Sequence, residues 1–163
     1  MSAKPLRERP QITIIGAGRL GTALAIALNR KHYPIESLVS AHLRSAKKAA
    51  GLLDASTVPL AVKDLAQREP TAVVIISTPD DQIDSVVKQL EKLSPKPNRF
   101  AIHTSGAIPS SILAPLRSKN WHTGSLHPLI SVSDSVAGSE ALSGAYWCVE
   151  GDRLASRLAR EIV

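Results

Sequence analysis

The sequence contains few of the residues that build disulfides, metal sites or base-stacking surfaces. Cys148 is its only cysteine among 163 residues, which excludes an internal disulfide and any site with several cysteine ligands. The five histidines lack the spacing of a metal site, so we predict no metal. Aromatic residues make up only 3% of the chain, too few for a platform on which nucleic-acid bases stack.

Long apolar runs are also missing. No stretch approaches the roughly 20 residues that a membrane-spanning helix needs, and the first residues lack the apolar region of a signal peptide. We therefore expect a cytoplasmic protein with no membrane partner. The net charge is +6, but the basic residues are scattered along the chain. This distribution favours a solvated surface and an anionic cofactor over a nucleic-acid partner.

The strongest positive signal is the stretch 11–28, in which a strand pattern, a glycine-rich turn and a helix pattern follow one another. The strand pattern is the run ITII, which is typical of a strand buried on both faces. The turn GAGRLG fits G-x-G-x-x-G, which in this context binds the pyrophosphate of a dinucleotide at the helix N-terminus. The predicted cofactor contacts in this turn are Gly16, Gly18, Arg19, Leu20 and Gly21.

Strand and helix patterns alternate along the rest of the chain. This alternation predicts an α/β fold, a Rossmann-type single domain with a doubly wound, mostly parallel sheet. We predict a flexible lead-in at residues 1–10 and a dinucleotide-binding domain at 11–150. Residues 151–163 are predicted to begin a helix that links to a further domain.

Local patterns also predict helix starts and helix faces. Ser45 is predicted to cap a short helix after the second strand. Thr78 is predicted to cap the helix that follows the strand TAVVIIS, with Pro79 in its first turn. The last helix is predicted to bury an apolar stripe formed by Leu154, Leu158 and Ile162.

The end of the second predicted strand, residues 38–42, decides between the two nicotinamide cofactors. An NAD enzyme usually carries Asp or Glu there, whereas an NADP enzyme carries a cation for the 2′-phosphate. Arg44 and Ser45 follow this strand, and Glu36 lies too early in it. We therefore expect NADP rather than NAD, with Arg44 and Ser45 as contacts. The alternatives left open are that Arg44 and Arg19 are solvated surface residues.

Polar residues also follow three later strands. Ser77, Thr78 and Pro79 are predicted to lie along the cofactor, at the carboxyl end of their strand. The segments HTSGA and SLHPL would emerge at the same edge. Hydride transfer to or from a carbonyl needs a proton donor or acceptor, for which histidine is suited near neutral pH. We predict His127 in this role and Ser105 as the residue that holds a substrate oxygen, and a structural role for the histidine stays open.

On these residues the chain resembles a branch of the 6-phosphogluconate-dehydrogenase-like Rossmann superfamily. Members of this branch carry a helical C-terminal domain and are regarded as NADP oxidoreductases. The matching stretches are IIGAGRLGTALAIAL, ISTPDDQI, HTSGA and SLHPLIS. The first two also occur in relatives such as pyrroline carboxylate reductases. The last two are similar to the serine and His-Pro pair of prephenate dehydrogenases, in which the histidine acts at the substrate hydroxyl, and this implies the same roles for Ser105 and His127.

The resemblance also implies an activity and an assembly. It implies an NADP-dependent oxidoreductase acting on a small oxo or hydroxy acid by hydride transfer, since some members of the branch are ketopantoate reductases. Members normally continue into a helical domain that closes the active site and forms the dimer. We therefore expect a homodimer only where that domain is present, and no activity without it. The alternative function is a non-catalytic dinucleotide sensor, which needs the glycine turn but neither His127 nor Ser105.

Overall fold

The computed structural model describes residues 9–163 and contains a seven-stranded sheet. The strands are β1 (Ile12–Ile15), β2 (Ile35–Ser40), β3 (Val58–Ala61), β4 (Val73–Ile76), β5 (Arg99–His103), β6 (Trp121–Pro128) and β7 (Trp147–Gly151). They lie in the order β3-β2-β1-β4-β5-β6-β7, and β7 runs antiparallel to β6 while the other pairs are parallel. The predicted doubly wound, mostly parallel α/β fold is confirmed. The predicted lead-in falls, up to residue 8, outside the described residues.

Helices connect the strands and cover both faces of the sheet. The α-helices of residues 9–163 are α1 (Arg19–Arg30), α2 (Leu43–Ala50), α3 (Ile83–Leu90), α4 (Ser135–Ala141) and α5 (Arg153–Ile162). Segments of 3-10 helix span Val62–Asp64, Asp80–Gln82, Ser110–Lys119 and Leu142–Gly144. Within this part of the chain, none of the helices combines the length and the apolar character needed to span a membrane.

The central strands send side chains into two cores, one on each face of the sheet. In β1, Ile14 belongs to the core that α1 and α5 cover, whereas the next residue, Ile15, belongs to the core that α3 covers. Both side chains are fully buried. Because successive strand residues point to opposite faces, a strand covered on both sides is apolar throughout. This explains why β4 is a continuous apolar run and why the only polar residue of β1, Thr13, has its hydroxyl paired with those of Ser37 and Thr71.

Two predicted helix caps are wrong. β2 ends two residues earlier than predicted, and His42, with an extended backbone, is the N-cap of α2. Ser45 therefore lies inside the first turn of α2. After β4 the chain forms the 3-10 segment Asp80–Gln82, whose N-cap is Pro79 and which has no side-chain cap, so Thr78 caps no helix. In both places the helix begins a few residues after the last paired residue of the strand, which is Ser40 in β2 and Ile76 in β4. Where strand pairing ends depends on the neighbouring strand, and the local sequence does not determine it.

The predicted apolar stripe of the last helix is confirmed at Ile162, which is buried, and at Leu158, which packs against the core, but it is wrong at Leu154. Ala155, Ala159 and Ile162 are buried, whereas Leu154 is 39% exposed. The cause lies in β6, where a Cβ added to Gly124 would be 3.2 Å from the Cβ of Ala155. Because helix and strand approach so closely there, small side chains rather than leucines occupy the contact.

Asp152 joins α5 to the strand beneath it. Its Oδ1 accepts hydrogen bonds from the backbone N–H groups of Leu154 and Ala155, both at 2.9 Å, which caps the helix. Its Oδ2 accepts from the Thr123 N–H in β6 at 2.7 Å. Burial alone would raise the pKa of this carboxyl, but these hydrogen bonds and the nearby His122 ring together lower the pKa below its ordinary value.

Asp152→Ala is expected to lower the free energy of unfolding at neutral pH by about 1–2 kcal/mol, because α5 loses its cap. The loss depends on pH. Since folding lowers the carboxyl pKa, the ionised group stabilises the fold above its unfolded-state pKa, and this contribution disappears as pH falls through the lowered value. Urea unfolding of the wild type and Asp152→Ala measures the loss of unfolding free energy. Asp152→Asn, which keeps a neutral oxygen acceptor, isolates the contribution of the charge. The difference in unfolding free energy between the wild type and Asp152→Asn should close in acid, and a difference that stays constant with pH would contradict the prediction.

Candidate functional site

The three glycines in the turn between β1 and α1 have different surroundings. Gly16 has a φ of +116°, and a Cβ there would collide with the backbone of Ser77. A Cβ on Gly21 would collide with the carbonyl oxygen of Gly16, so Gly21 lets α1 pack against the turn. No atom beyond the immediate chain neighbours lies within 4 Å of a Cβ on Gly18 in the described structure. The fold itself does not require glycine at position 18, and the space in front of it is open to a ligand.

The N-terminus of α1 faces the same open space. Gly18 is the N-cap of this helix and makes no side-chain cap, and the first turn contains no acidic residue. The first backbone N–H groups of the helix are therefore available to an anion, and the helix dipole adds partial positive charge. Arg19 and Leu20 begin the helix and line the cleft beside it.

Two clefts meet at the glycine turn. The histidine cleft, defined by Ser105 and His127 at the ends of β5 and β6, has a volume of about 710 Å³. The serine cleft, defined by Ser40 and Ser45 at the end of β2, has a volume of about 610 Å³. Gly18 and the segment after β4 line both clefts, which are therefore two parts of one crevice. The crevice lies at the carboxyl ends of the strands, beside β1 and β4 where the strand order reverses, which is where open α/β sheets bind ligands.

The structure brings most of the predicted site residues together in this crevice. The histidine cleft is lined by Gly18, Arg19, Leu20, Ser77, Thr78, Pro79, Ser105 and His127. The serine cleft adds Gly16 and Ser45. Gly21 lies beneath the turn, packed on Gly16. Arg44 is exposed and lines neither cleft.

His127 stands at the end of β6 with a defined tautomer. Its Nδ1 lies 3.0 Å from the carbonyl oxygen of Thr104. A carbonyl oxygen only accepts hydrogen bonds, so Nδ1 carries the hydrogen in the neutral ring and Nε2 keeps a lone pair. β6 continues two residues past its predicted end at Leu126, so a strand rather than a loop holds the partly buried ring. Nε2 can therefore accept a proton from an alcohol in the cleft, and the protonated ring can return it.

Ser105 has its lone pairs engaged and its hydroxyl hydrogen free. Its Oγ accepts hydrogen bonds from the backbone N–H groups of Ala107 and Ile108, both at 3.1 Å. Its own backbone N–H donates to Nδ1 of His103 at 3.2 Å. Burial lowers the pKa of His103, which favours the neutral ring that accepts this bond. The hydroxyl of Ser105 is therefore held in place as a donor to an oxygen in the cleft.

The floor between the two clefts contains an unpaired hydroxyl. Thr104 Oγ1 donates to Ser77 Oγ at 3.2 Å, which ties the ends of β4 and β5 together. Thr78 Oγ1 is buried and has no hydrogen-bond partner among residues 9–163. Because buried polar groups are nearly always paired, this hydroxyl indicates a surface completed by a ligand or by water. In the described range, no group of three or more His, Cys, Asp or Glu is arranged to hold a metal ion.

Two residues of the site, His103 and Lys48, had no predicted role. His103 holds Ser105, and its only signal was its place two residues earlier in HTSGA. Lys48 lines a cavity of about 320 Å³ beside the glycine turn, together with Arg19 and Ser45. Lys48 follows Ser45 by three residues, so the two lie on one side of α2, and this helical spacing was the signal available in the sequence.

The strand order, the glycine turn and the crevice define a Rossmann-type fold. The chain belongs to the Rossmann-like domain family, whose model matches residues 2–128. It is similar to the glycerol-3-phosphate dehydrogenase (NAD(P)+) of Idiomarina loihiensis, with 29% identity over 146 residues. The match covers 84% of this chain and 44% of that protein.

Solved structures share the fold. A candidate NADP oxidoreductase from Bacteroides fragilis superimposes with a TM-score of 0.78 at 24% identity, covering 95% of this chain and 57% of that one. A prephenate dehydrogenase from Aquifex aeolicus, solved with hydroxyphenyl propionate and NAD+, has a TM-score of 0.73 at 17% identity. That match covers 98% of this chain and 57% of the other. The chain thus spans about half the length of these relatives, and the resemblance predicted from the sequence is confirmed for the fold.

Proposed function

We propose that the chain is the dinucleotide-binding domain of an NADP-dependent oxidoreductase that transfers a hydride to or from a small oxo or hydroxy acid. The observation that carries the proposal is the convergence of His127 and Ser105 with the glycine turn on one crevice. A domain that only senses a nucleotide has no use for a histidine of fixed tautomer at that place. The similar proteins are described as dehydrogenases and an oxidoreductase, which supports the same class. A reducing cytoplasmic setting belongs to the proposal, and the exposed free thiol of Cys148 is compatible with it.

The crevice fits a nicotinamide dinucleotide. The open backbone at Gly18 and the N–H groups of α1 would hold the pyrophosphate. The serine cleft would hold the adenosine half and the histidine cleft the nicotinamide half, with the unpaired hydroxyl of Thr78 where the two meet. When bound, the nicotinamide ring supplies the chemistry of donating or accepting a hydride.

His127 and Ser105 would perform the proton transfer and the substrate binding. When a hydroxy acid is oxidised, Nε2 of His127 accepts the hydroxyl proton as the hydride leaves the carbon. In the reverse direction the protonated ring returns that proton to the carbonyl oxygen. Ser105 can only donate from its hydroxyl, since its lone pairs already accept two backbone bonds. This pair favours a substrate with a hydroxyl or carbonyl at the reacting carbon and an acceptor oxygen, such as a carboxylate, close by.

The preference for NADP is based on the charges around the serine cleft. No acidic residue of the described chain lines this cleft. Ser45 lies in the first turn of α2, and Lys48 follows one turn later beside the glycine turn. Arg44 adds an exposed cation to the same helix start. A 2′-phosphate there would be near a hydroxyl, a helix N-terminus and two cations, whereas the ribose of NAD would lack its usual carboxylate.

NADPH is therefore expected to bind more tightly than NADH. Arg44→Ala and Lys48→Ala should each weaken NADPH binding by about 1.5–3 kcal/mol, roughly 10- to 150-fold, and leave NADH binding unchanged. Fluorescence titration with both nucleotides measures the preference. Lys47→Ala is the matched control for Lys48→Ala, because Lys47 is its exposed neighbour on the same helix and lines none of these cavities. Arg44 lines none of them either, and its expected contribution rests on its place beside Ser45 in the first turn of α2. Equal affinities for the two nucleotides in the wild type would overturn the NADP assignment.

Hydride transfer is tested with NADPH and a panel of small 2- and 3-oxo acids, on a protein that contains this domain together with the helical domain that the resemblance implies. NADPH deuterated at the transferred position should deliver deuterium to the carbonyl carbon of one of them. Mass spectrometry of the product hydroxy acid detects this transfer. Tight NADPH binding with no transfer to any member of the panel would favour the sensor alternative.

A further inference from the structure

Gly106 lacks a side chain at a position where its own backbone does not require glycine. The glycines with positive φ in the described chain are Gly16 and Gly151, and Gly106 is not among them. A Cβ added at Gly106 would instead meet the ring of His127, 2.5 Å from Nε2, 2.6 Å from Cδ2 and 2.7 Å from Cε1. These separations are far below the contact distance of about 3.5–4.0 Å between carbon atoms. The space that a side chain would need is therefore filled by the imidazole of His127.

The three distances also give the direction of the contact. An atom in the ring plane, on the lone pair of Nε2, would lie clearly farther from the two carbons than from the nitrogen. Here all three distances from the added Cβ to the ring differ by only 0.2 Å, from 2.5 to 2.7 Å. The added Cβ would therefore lie over the face of the ring. His127 rests with its face on Gly106, and Gly106 does not obstruct the in-plane lone pair of Nε2.

We infer that Gly106 is a positioning residue for His127. Its catalytic consequence rests on the proposed function, but the positioning itself does not. The Thr104 carbonyl fixes one edge of the ring through Nδ1, and Gly106, two residues later, fixes its face. One loop thus sets both the tautomer and the tilt of the imidazole. Any side chain at 106 would push the ring away from Thr104 and free the neutral imidazole to exchange tautomers.

The first test is the tautomer of His127 in the intact chain, observed by long-range 1H–15N NMR of the imidazole. The wild type should show the Nδ1–H form, and Gly106→Ala should show loss of that form and a rise of the Nε2–H form. Gly144→Ala is the matched control, because in the described part of the chain no atom beyond the two chain neighbours lies within 4 Å of a Cβ there. An unchanged His127 spectrum in folded Gly106→Ala would overturn the inference.

The second test is a double-mutant cycle in melting temperature, which also serves if the alanine variant folds poorly. Gly106→Ala should lower the melting temperature by roughly 2–8 °C, because it overpacks the contact with the ring. In a His127→Ala background the same change should cost nothing, because the ring is gone. An equal loss in both backgrounds would mean that the backbone needs the glycine, and no loss in either would mean that there is no clash. Neither test uses turnover or nucleotide, so the inference can fail or stand independently of the proposed function.

Discussion

Gly18→Val is expected to abolish binding of both NADPH and NADH while the domain keeps its fold and its melting temperature. Apart from the two chain neighbours, no atom of residues 9–163 lies within 4 Å of a Cβ at this position, and the φ of −80° with extended ψ suits a β-branched residue. It would occupy the space in front of the α1 N-terminus, where the pyrophosphate must approach the backbone. Titration of the variant with each nucleotide, together with a circular dichroism melt, measures both parts of the expectation.

Two other glycines serve as controls. Gly144→Val also places a side chain in open space, but away from the crevice, and should change neither binding nor melting. Gly16→Val should unfold or strongly destabilise the domain, because its φ is +116° and its Cβ would collide with the backbone after β4. If folded Gly18→Val bound nucleotide as well as the wild type does, the turn would be only a connector between strand and helix.

The parts of the fold that were predictable from the sequence are those set by local periodicity. β1 and β4 are short runs of β-branched residues, and their burial on both faces follows from having helices on both sides of the sheet. The glycine turn was recognisable because strand, turn and helix are adjacent in the chain. The gathering of Ser77, Ser105 and His127 was also predictable, since parallel strands end at one edge of the sheet.

The parts that were not predictable depend on contacts between distant segments. The spacing of apolar residues indicated Leu158 and Ile162 correctly but Leu154 wrongly, because the close approach at Gly124, far away in the sequence, places Ala155 at the contact instead. Strand pairing, rather than the preference of serine and threonine for caps, set the starts of the helices near Ser45 and Thr78. The contact between Gly106 and His127 joins the loop after β5 to the end of β6, which the β5–β6 pairing brings together.

The local environment of His127 suggests a substitution that removes its chemistry and keeps its anchor. In His127→Asn, the side-chain amide can donate to the Thr104 carbonyl in place of Nδ1, while the lone pair of Nε2 is lost. In a protein that also contains the helical domain, hydride transfer between NADPH and the oxo acid that serves as substrate is expected to fall by about 10²–10⁴-fold, the usual contribution of a general acid or base. Nucleotide affinity should not change, because the glycine turn and the serine cleft are untouched. Steady-state kinetics and titration of the same preparation separate the two quantities.

His32→Asn is the matched control for this change. His32 is exposed, lies outside both clefts and has a φ of 62°, a conformation that asparagine also tolerates. It should behave as the wild type in both assays. A small loss of turnover in His127→Asn, comparable to that of His32→Asn, would mean that His127 transfers no proton, and the role of the crevice would then reduce to binding the nucleotide. A large loss of nucleotide affinity would instead mean that His127 contacts the cofactor, and its assignment as the proton-transfer group would have to be abandoned.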